Sequence, residues 1–237
     1  MPLPKIDIPT FSTTLPSTKN TVTFRPFLVK EEKILLMANQ GNDENEKINA
    51  IKQIVNNCMI SEVDVDKLPT FDVEWLFLQL RKHSVGDVID LQFQHIDESN
   101  PCKHITQYKL NLEEVKIKYS DDHNKNVKIT ENITLILKYP TLDSSLLNLA
   151  DGNADNVIDF LSSGIEFIKE DDKMHETKDY SKQERLEFFE QLTQEQMQKI
   201  QQFYETSPAI EHEIKYKCEG CGSEETVILR GLQDFLG

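Results

Sequence analysis

The 237-residue chain carries 26 basic and 41 acidic side chains, a formal net charge of −15 that repels phosphate backbones and argues against general nucleic-acid binding. With 38% hydrophobic and 28% charged residues it reads as a soluble globular chain of one elaborated domain or two small ones. No apolar run approaches the roughly 18–20 residues that span a bilayer, and Met-Pro-Leu-Pro-Lys-Ile-Asp lacks the basic and apolar regions of a secretory signal.

Residues 1–28 are rich in Pro, Thr and Ser, with short alternating stretches near Ile6–Ile8 and Thr21–Phe24, and predict an extended arm or loose hairpin. A helix follows through Leu28, Ile34, Leu35, Leu36 and Met37, its first turn carrying Glu31 and Glu32 to complement the helix dipole. Ile48, Ile51, Ile54 and Val55 place one apolar stripe on a second helix. Thr70 is the expected N-cap of a third, with Val73, Leu76, Phe77 and Leu80 as its buried face and Trp75 beside them as a packing residue.

From Val85 the hydrophobic period changes to two. Val88, Leu91 and Phe93, then Tyr108-Leu110-Leu112, Val115-Ile117-Tyr119, Val127-Ile129 and Ile133-Leu135-Leu137 read as strands, stopped at Pro140. Residues 142–205 return to helix, with the acidic stretch Lys169–Asp179 as an exposed loop. Ser181 with Glu184, and Thr193 with Gln196, have the spacing of capping boxes, so a C-terminal helix pair is expected there. Strand-like Ile210–Lys217 and Thr226–Leu229 flank a Cys-x-x-Cys turn, and an apolar tail, Leu232–Leu236, either covers the protein's own core or fills a partner's groove. The expected fold class is α+β: a central, mostly antiparallel sheet flanked by helices, with the helix pair and a Cys-x-x-Cys β-hairpin. Along the chain the divisions are an arm at 1–28, helices followed by sheet at 29–140, and a helical region with the hairpin at 141–237, the last two able to form one domain. Ile51, Val55, Val73, Phe77, Leu135, Phe189, Ile200 and Phe203 are the predicted core.

The strongest chemical feature is Cys218-Glu219-Gly220-Cys221-Gly222. Two cysteines at this spacing can place both sulfurs on one metal, and the following glycine permits the left-handed turn of a zinc knuckle. One pair is half a tetrahedral site. Cys102 with His95 or His104, from the turn His95–His104, would complete a Cys3His set for a structural zinc; without metal the same residues make a hairpin with free thiols. The pair does not open a helix after a strand, which argues against a thioredoxin-type redox role. Asp151–Asp155 lacks the glycine and the glutamate of a calcium loop and reads instead as a helix start capped by Asp155. No nucleophile elbow or glycine-rich phosphate loop occurs, so no enzyme is expected and no catalytic residue is assigned.

Three stretches carry a resemblance. They are Leu15–Lys33, with Arg25-Pro26-Phe27-Leu28-Val29-Lys30-Glu31-Glu32-Lys33 at its heart; Val65–Gly86, with Pro69, Asp72, Trp75 and Arg81; and Leu192–Phe203, followed by Pro208, His212, Cys218, Cys221, Gly222, Gly231-Leu232 and Asp234-Phe235. Together they resemble the baseplate hub assembly family of T4-type contractile-tailed phages, over nearly the whole chain. The resemblance implies a non-enzymatic protein that builds the central hub of the tail baseplate, as component or chaperone. Its partners would be hub proteins, with no nucleic acid and no membrane, and its place the host cytoplasm during assembly or the virion baseplate. The cysteine pair motivates one alternative, a zinc-ribbon regulatory protein contacting nucleic acid or transcription machinery.

Overall fold

The computed structural model describes residues 6–41, 44–94, 102, 104–142 and 154–235. In chain order the elements are β1 (Phe11–Thr14), β2 (Thr21–Phe24), α1 (Val29–Gln40), α2 (Glu44–Cys58), α3 (Thr70–Ser84), β3 (Val88–Gln94), β4 (Ile105–Asn111), β5 (Lys116–Lys118), β6 (Asn126–Lys128), β7 (Ile133–Leu137), α4 (Ala154–Ser163), β8 (Ile165–Glu170), β9 (Lys173–Glu176), α5 (Lys182–Glu190), α6 (Gln194–Glu205), β10 (Ala209–Lys217) and β11 (Glu224–Arg230). The class is α+β. The chain divides into two units: Met1–Val65, Phe71–Lys118 and Ala209–Gly237 form one, and Asp66–Thr70 with Tyr119–Pro208 form the other.

The strands expected to share one central sheet are distributed among three. β3 pairs with β4, β5 joins β10 and β11 in the order β11-β10-β5, and β6 and β7 continue into β8 and β9. Every pairing is antiparallel. The cause is non-local: Ile117, too short of partners in its own neighbourhood, pairs with Ile210 more than ninety residues later in the chain. That pairing returns Ala209–Gly237 to the first unit.

In the first unit α3 is apolar on nearly every side, with Phe71, Val73, Leu76, Phe77, Leu78 and Leu80 all buried, and so it serves as a core helix. The N-terminal segment forms a closed hairpin, β1 against β2 from Phe11↔Phe24 to Thr14↔Thr21, and docks on α3. Phe11 stacks on His83 with ring centroids 4.0 Å apart, Trp75 Nε1 donates to Thr13 Oγ1 at 3.1 Å, and the Ser17 amide and hydroxyl both donate to the buried Asp72 carboxylate. Trp75 is therefore a clamp on the arm as well as a packing residue. Burial raises the Asp72 carboxyl, against the two Ser17 hydrogen bonds. β3, β4, β10 and β11 share a core of Leu78, Ile89, Leu91, Leu110, Ile210, Ile214 and Leu229, which Phe235 also enters. The apolar tail thus covers its own core, as far as Phe235; Leu236 lies outside the described residues. In β3 the buried face is Ile89 and Leu91, with Val88 exposed, because a period of two cannot hold both Val88 and Leu91 on one side.

A buried ion pair ties the start of α1 to the end of α2. Arg25 Nη2 lies 3.0 Å from Glu31 Oε1, with the side chains 15% and 0% exposed. Arg25 also donates to the carbonyls of Pro26 and Asn57 at 2.9 and 2.8 Å, and Glu31 accepts the Leu28 amide at 2.9 Å. Burial alone would raise the Glu31 carboxyl, but Arg25 and the Leu28 amide hold it below its ordinary value. Glu31 therefore does more than complement a dipole.

Glu74, on α3, behaves oppositely. Burial pushes its carboxyl from 4.5 up to about 7, only partly offset by the hydrogen bond it accepts from the Leu232 amide at 3.3 Å. A carboxyl raised in the folded state binds protons that the unfolded chain has released, so stability falls as pH rises from about 4.5 to about 7. The loss is of the order of 3 kcal/mol. Glu74→Gln is expected to flatten this slope in denaturant titrations across that window. An unchanged slope would show that Glu74 titrates normally. The Glu31 contribution has the reverse sign and disappears only as pH falls through its depressed value.

The second unit corrects the sequence reading at 165–179. Instead of helix and exposed loop it contains β8 and β9, joined by a turn in which Asp171 adopts φ 51°. Phe167 and Ile168 pair with Ile136 and Leu135, so a hydrophobic edge on β7 recruits a segment whose own composition is charged. Both capping boxes form: Ser181 Oγ accepts the Glu184 amide at 3.2 Å and Thr193 Oγ1 the Gln196 amide at 3.3 Å. α5 and α6 follow one another, α5 packing chiefly on α4 and α6 on β6, and both contribute to one core. Their core is Leu135, Leu137, Leu161, Ile165, Phe189, Ile200 and Phe203. Asp155 is the second residue of α4 rather than the residue before it. All eight predicted core residues, in both units, are at most 7% exposed.

Candidate metal centre

β10 and β11 form a hairpin in register from Glu211↔Arg230 to Lys217↔Glu224, which leaves 218–223 as the connecting turn. The turn is closed by backbone hydrogen bonds, Cys218 N to Ser223 O and Gly222 N to Cys218 O, both 2.8 Å. Gly222 takes φ +79°, which an L side chain adopts only under strain. The segment ahead of β4 approaches this turn. Phe93 at the end of β3 stacks on Tyr216 of β10 with centroids 5.0 Å apart, and the Glu219 amide donates to Thr106 Oγ1 at 3.4 Å.

The approach brings Cys102 to the pair. Cys102 Sγ and Cys218 Sγ are 3.7 Å apart, and the three sulfurs of Cys102, Cys218 and Cys221 all lie within 4.8 Å of one another. Cys218 is buried, Cys102 half-buried and Cys221 exposed, and none of the three is in a disulfide. Backbone N–H groups of Cys221 and Gly220 donate to the Cys218 sulfur and, with the Cys221 and Cys102 thiols, hold it down to about 6. The Cys221 thiol moves up: the Ser223 amide lowers it, but desolvation and then the neighbouring sulfurs of Cys218 and Cys102 raise it by more.

His104 stands at the rim, with Nε2 3.6 Å from Glu219 Oε2. Gly220 makes this proximity sterically feasible. A Cβ there would meet His104 Cβ at 2.5 Å and Cys102 Sγ at 3.1 Å. The sequence alone does not distinguish Gly220, since only the arrival of the segment that carries Cys102 and His104 gives its missing side chain a purpose. His95, the alternative histidine ligand, lies outside the described residues. Cys58 is remote in role: buried beside Arg25, its thiol is pushed up to about 11 by burial. The structure brings the three sulfurs together and leaves the His104 imidazole outside their 4.8 Å set; chemically, the sulfurs suit a thiophilic, tetrahedral ion such as zinc.

The chain is thus a two-unit α+β protein with a thiol cluster at a hairpin turn and a Pro/Thr-rich hairpin clamped on its core helix. A family model described as T4 bacteriophage base plate protein matches residues 8–237, and the chain belongs to that family. Neither a curated protein nor a solved structure matches it. The protein is thus a phage baseplate protein, whose partners are other baseplate proteins and whose place is the tail baseplate. Nothing in these comparisons supports a zinc-ribbon regulatory protein. Among the described residues no helix is long and apolar enough to cross a membrane.

Proposed function

We propose that this baseplate protein is non-enzymatic and is needed to assemble the central hub of a contractile tail baseplate, as hub component or assembly chaperone. The observation that carries the reading is the family match across residues 8–237. It is supported by where the hub-family-like residues fall. Arg25 and Glu31 make a buried clamp, Asp72 and Trp75 hold the arm, and Cys218, Cys221, Leu232 and Phe235 frame the C-terminal hairpin and core. These roles are architectural. Its direct partners would be hub proteins, met in the host cytoplasm.

Deleting the gene from an infecting phage tests this. Hubs are expected to be lost, while heads and baseplate pieces built independently of the hub accumulate normally. Complete baseplates forming without the protein would dispose of the idea. Its presence in purified virions would identify a hub component; its restriction to infected-cell lysates would identify a chaperone.

A further inference from the structure

We propose that Cys102, Cys218 and Cys221 bind one structural zinc ion, with His104 as the fourth ligand and Glu219 as the outer partner of that imidazole. Sulfurs held about 2.3 Å from a tetrahedral ion stand about 3.8 Å apart. Cys102 and Cys218 already sit at 3.7 Å, and Cys221 is close to both. A disulfide needs sulfurs at about 2.05 Å, so the observed spacing is that of ligands and not of a bond.

Three features show that the cluster is built rather than accidental. The Cys218 and Cys221 ligands lie in a turn whose backbone is closed at both ends by 2.8 Å hydrogen bonds. The third sulfur comes from 116 residues earlier in the chain, brought in by the shared core of β3, β4, β10 and β11. Gly220 leaves the gap through which that segment passes, with His104 Cγ and Cys102 Sγ at 2.9 and 3.1 Å from the same vacant Cβ position.

His104 is two residues from Cys102 and stands outside the 4.8 Å sulfur set, so its side chain must turn to bring a ring nitrogen to the ion; its Nε2 faces Glu219. Coordination through Nδ1 would leave Nε2–H to donate to the Glu219 carboxylate, the usual outer hydrogen bond of a zinc-bound imidazole. On binding, the thiols lose their protons to solvent, so zinc affinity falls as pH drops. The bound ion would join the segment before β4 to the β10–β11 turn, fixing two hairpins that otherwise meet through side-chain packing and the Glu219–Thr106 hydrogen bond.

The test uses the full chain, purified under reducing conditions without chelator, and measured for zinc and for cobalt(II) uptake. One zinc per chain is expected. Cobalt(II) should give tetrahedral d–d bands and a thiolate charge-transfer band of three-sulfur intensity. Cys102→Ser and the exposed-site variant Cys221→Ser should each lower that band. His104→Ala should keep it, shift the d–d bands, and weaken zinc binding by at least about tenfold, the minimum typical of losing even an outer partner. Folded wild-type protein that takes up neither zinc nor cobalt would overturn the site, as would an oxidised Cys102–Cys218 pair in its mass. A cobalt spectrum unaltered in Cys102→Ser would overturn the three-sulfur set. Unaltered bands and affinity in His104→Ala would overturn the fourth ligand.

Discussion

Replacing Arg25 with alanine is expected to cost about 3 kcal/mol of stability, because the buried Glu31 carboxylate loses its closest cation and keeps only the exposed Lys30, whose Nζ lies 3.4 Å from Oε1. Glu31 is 0% exposed and Arg25 15%, so solvent cannot replace the missing partner. The guanidinium also satisfies the Pro26 and Asn57 carbonyls, which lose their donors together. Arg25→Lys should recover only part of the loss, since a single ammonium cannot reach all three oxygens in a fork. The double replacement Arg25→Met with Glu31→Leu should recover more, because removing both charges removes the desolvation cost. Urea denaturation of the three variants checks this order. A single alanine variant as stable as wild type would mean that the pair is solvated in solution.

A loss of similar size, about 3–5 kcal/mol, is expected for Phe203→Ala in the other unit. Phe203 is 2% exposed and sits in an aromatic cluster, with ring centroids 5.0 Å from His123, 5.6 Å from Tyr139 and 5.1 Å from Tyr204. Truncation leaves a cavity and removes three ring contacts at once. His123 is doubly held, by Thr206 Oγ1 at 3.0 Å and Tyr139 Oη at 2.9 Å, so the surrounding rings have little freedom to collapse inward. Phe203→Leu should cost much less, since it keeps most of the volume. Thermal unfolding followed by near-ultraviolet circular dichroism reads both stability and the tyrosine packing. Equal midpoints for the alanine variant and wild type would show that the cluster is loosely packed.

Local pattern was enough for some features. The stripe at Ile51, Ile54 and Val55, and the face at Val73, Leu76 and Phe77, could be read because helical periodicity depends only on neighbours three and four residues away. Ser181 and Thr193 were legible as caps for the same reason. Segment 165–176 was not, because β8 is made by pairing with β7 and β9 by pairing with β8, and not by their own composition. In the candidate centre the spacing of Cys218 and Cys221 was visible, and so were Cys102 and His104 as candidates. What Gly220 and Glu219 do there was not.

The sequence by itself determined the helical faces, the caps, the turn chemistry at Cys218–Gly222 and, through the Arg25–Lys33 and C-terminal blocks, the resemblance to a phage hub family. Tertiary structure decided which strands share a sheet, that Ala209–Gly237 returns to the N-terminal unit, and that Cys102 meets Cys218 across 116 residues. The physical reason is the range of the forces concerned. Periodicity and capping are satisfied within a turn or two of chain, whereas an unpaired strand edge or a half-filled ligand set accepts whatever distant segment the burial of apolar surface brings beside it.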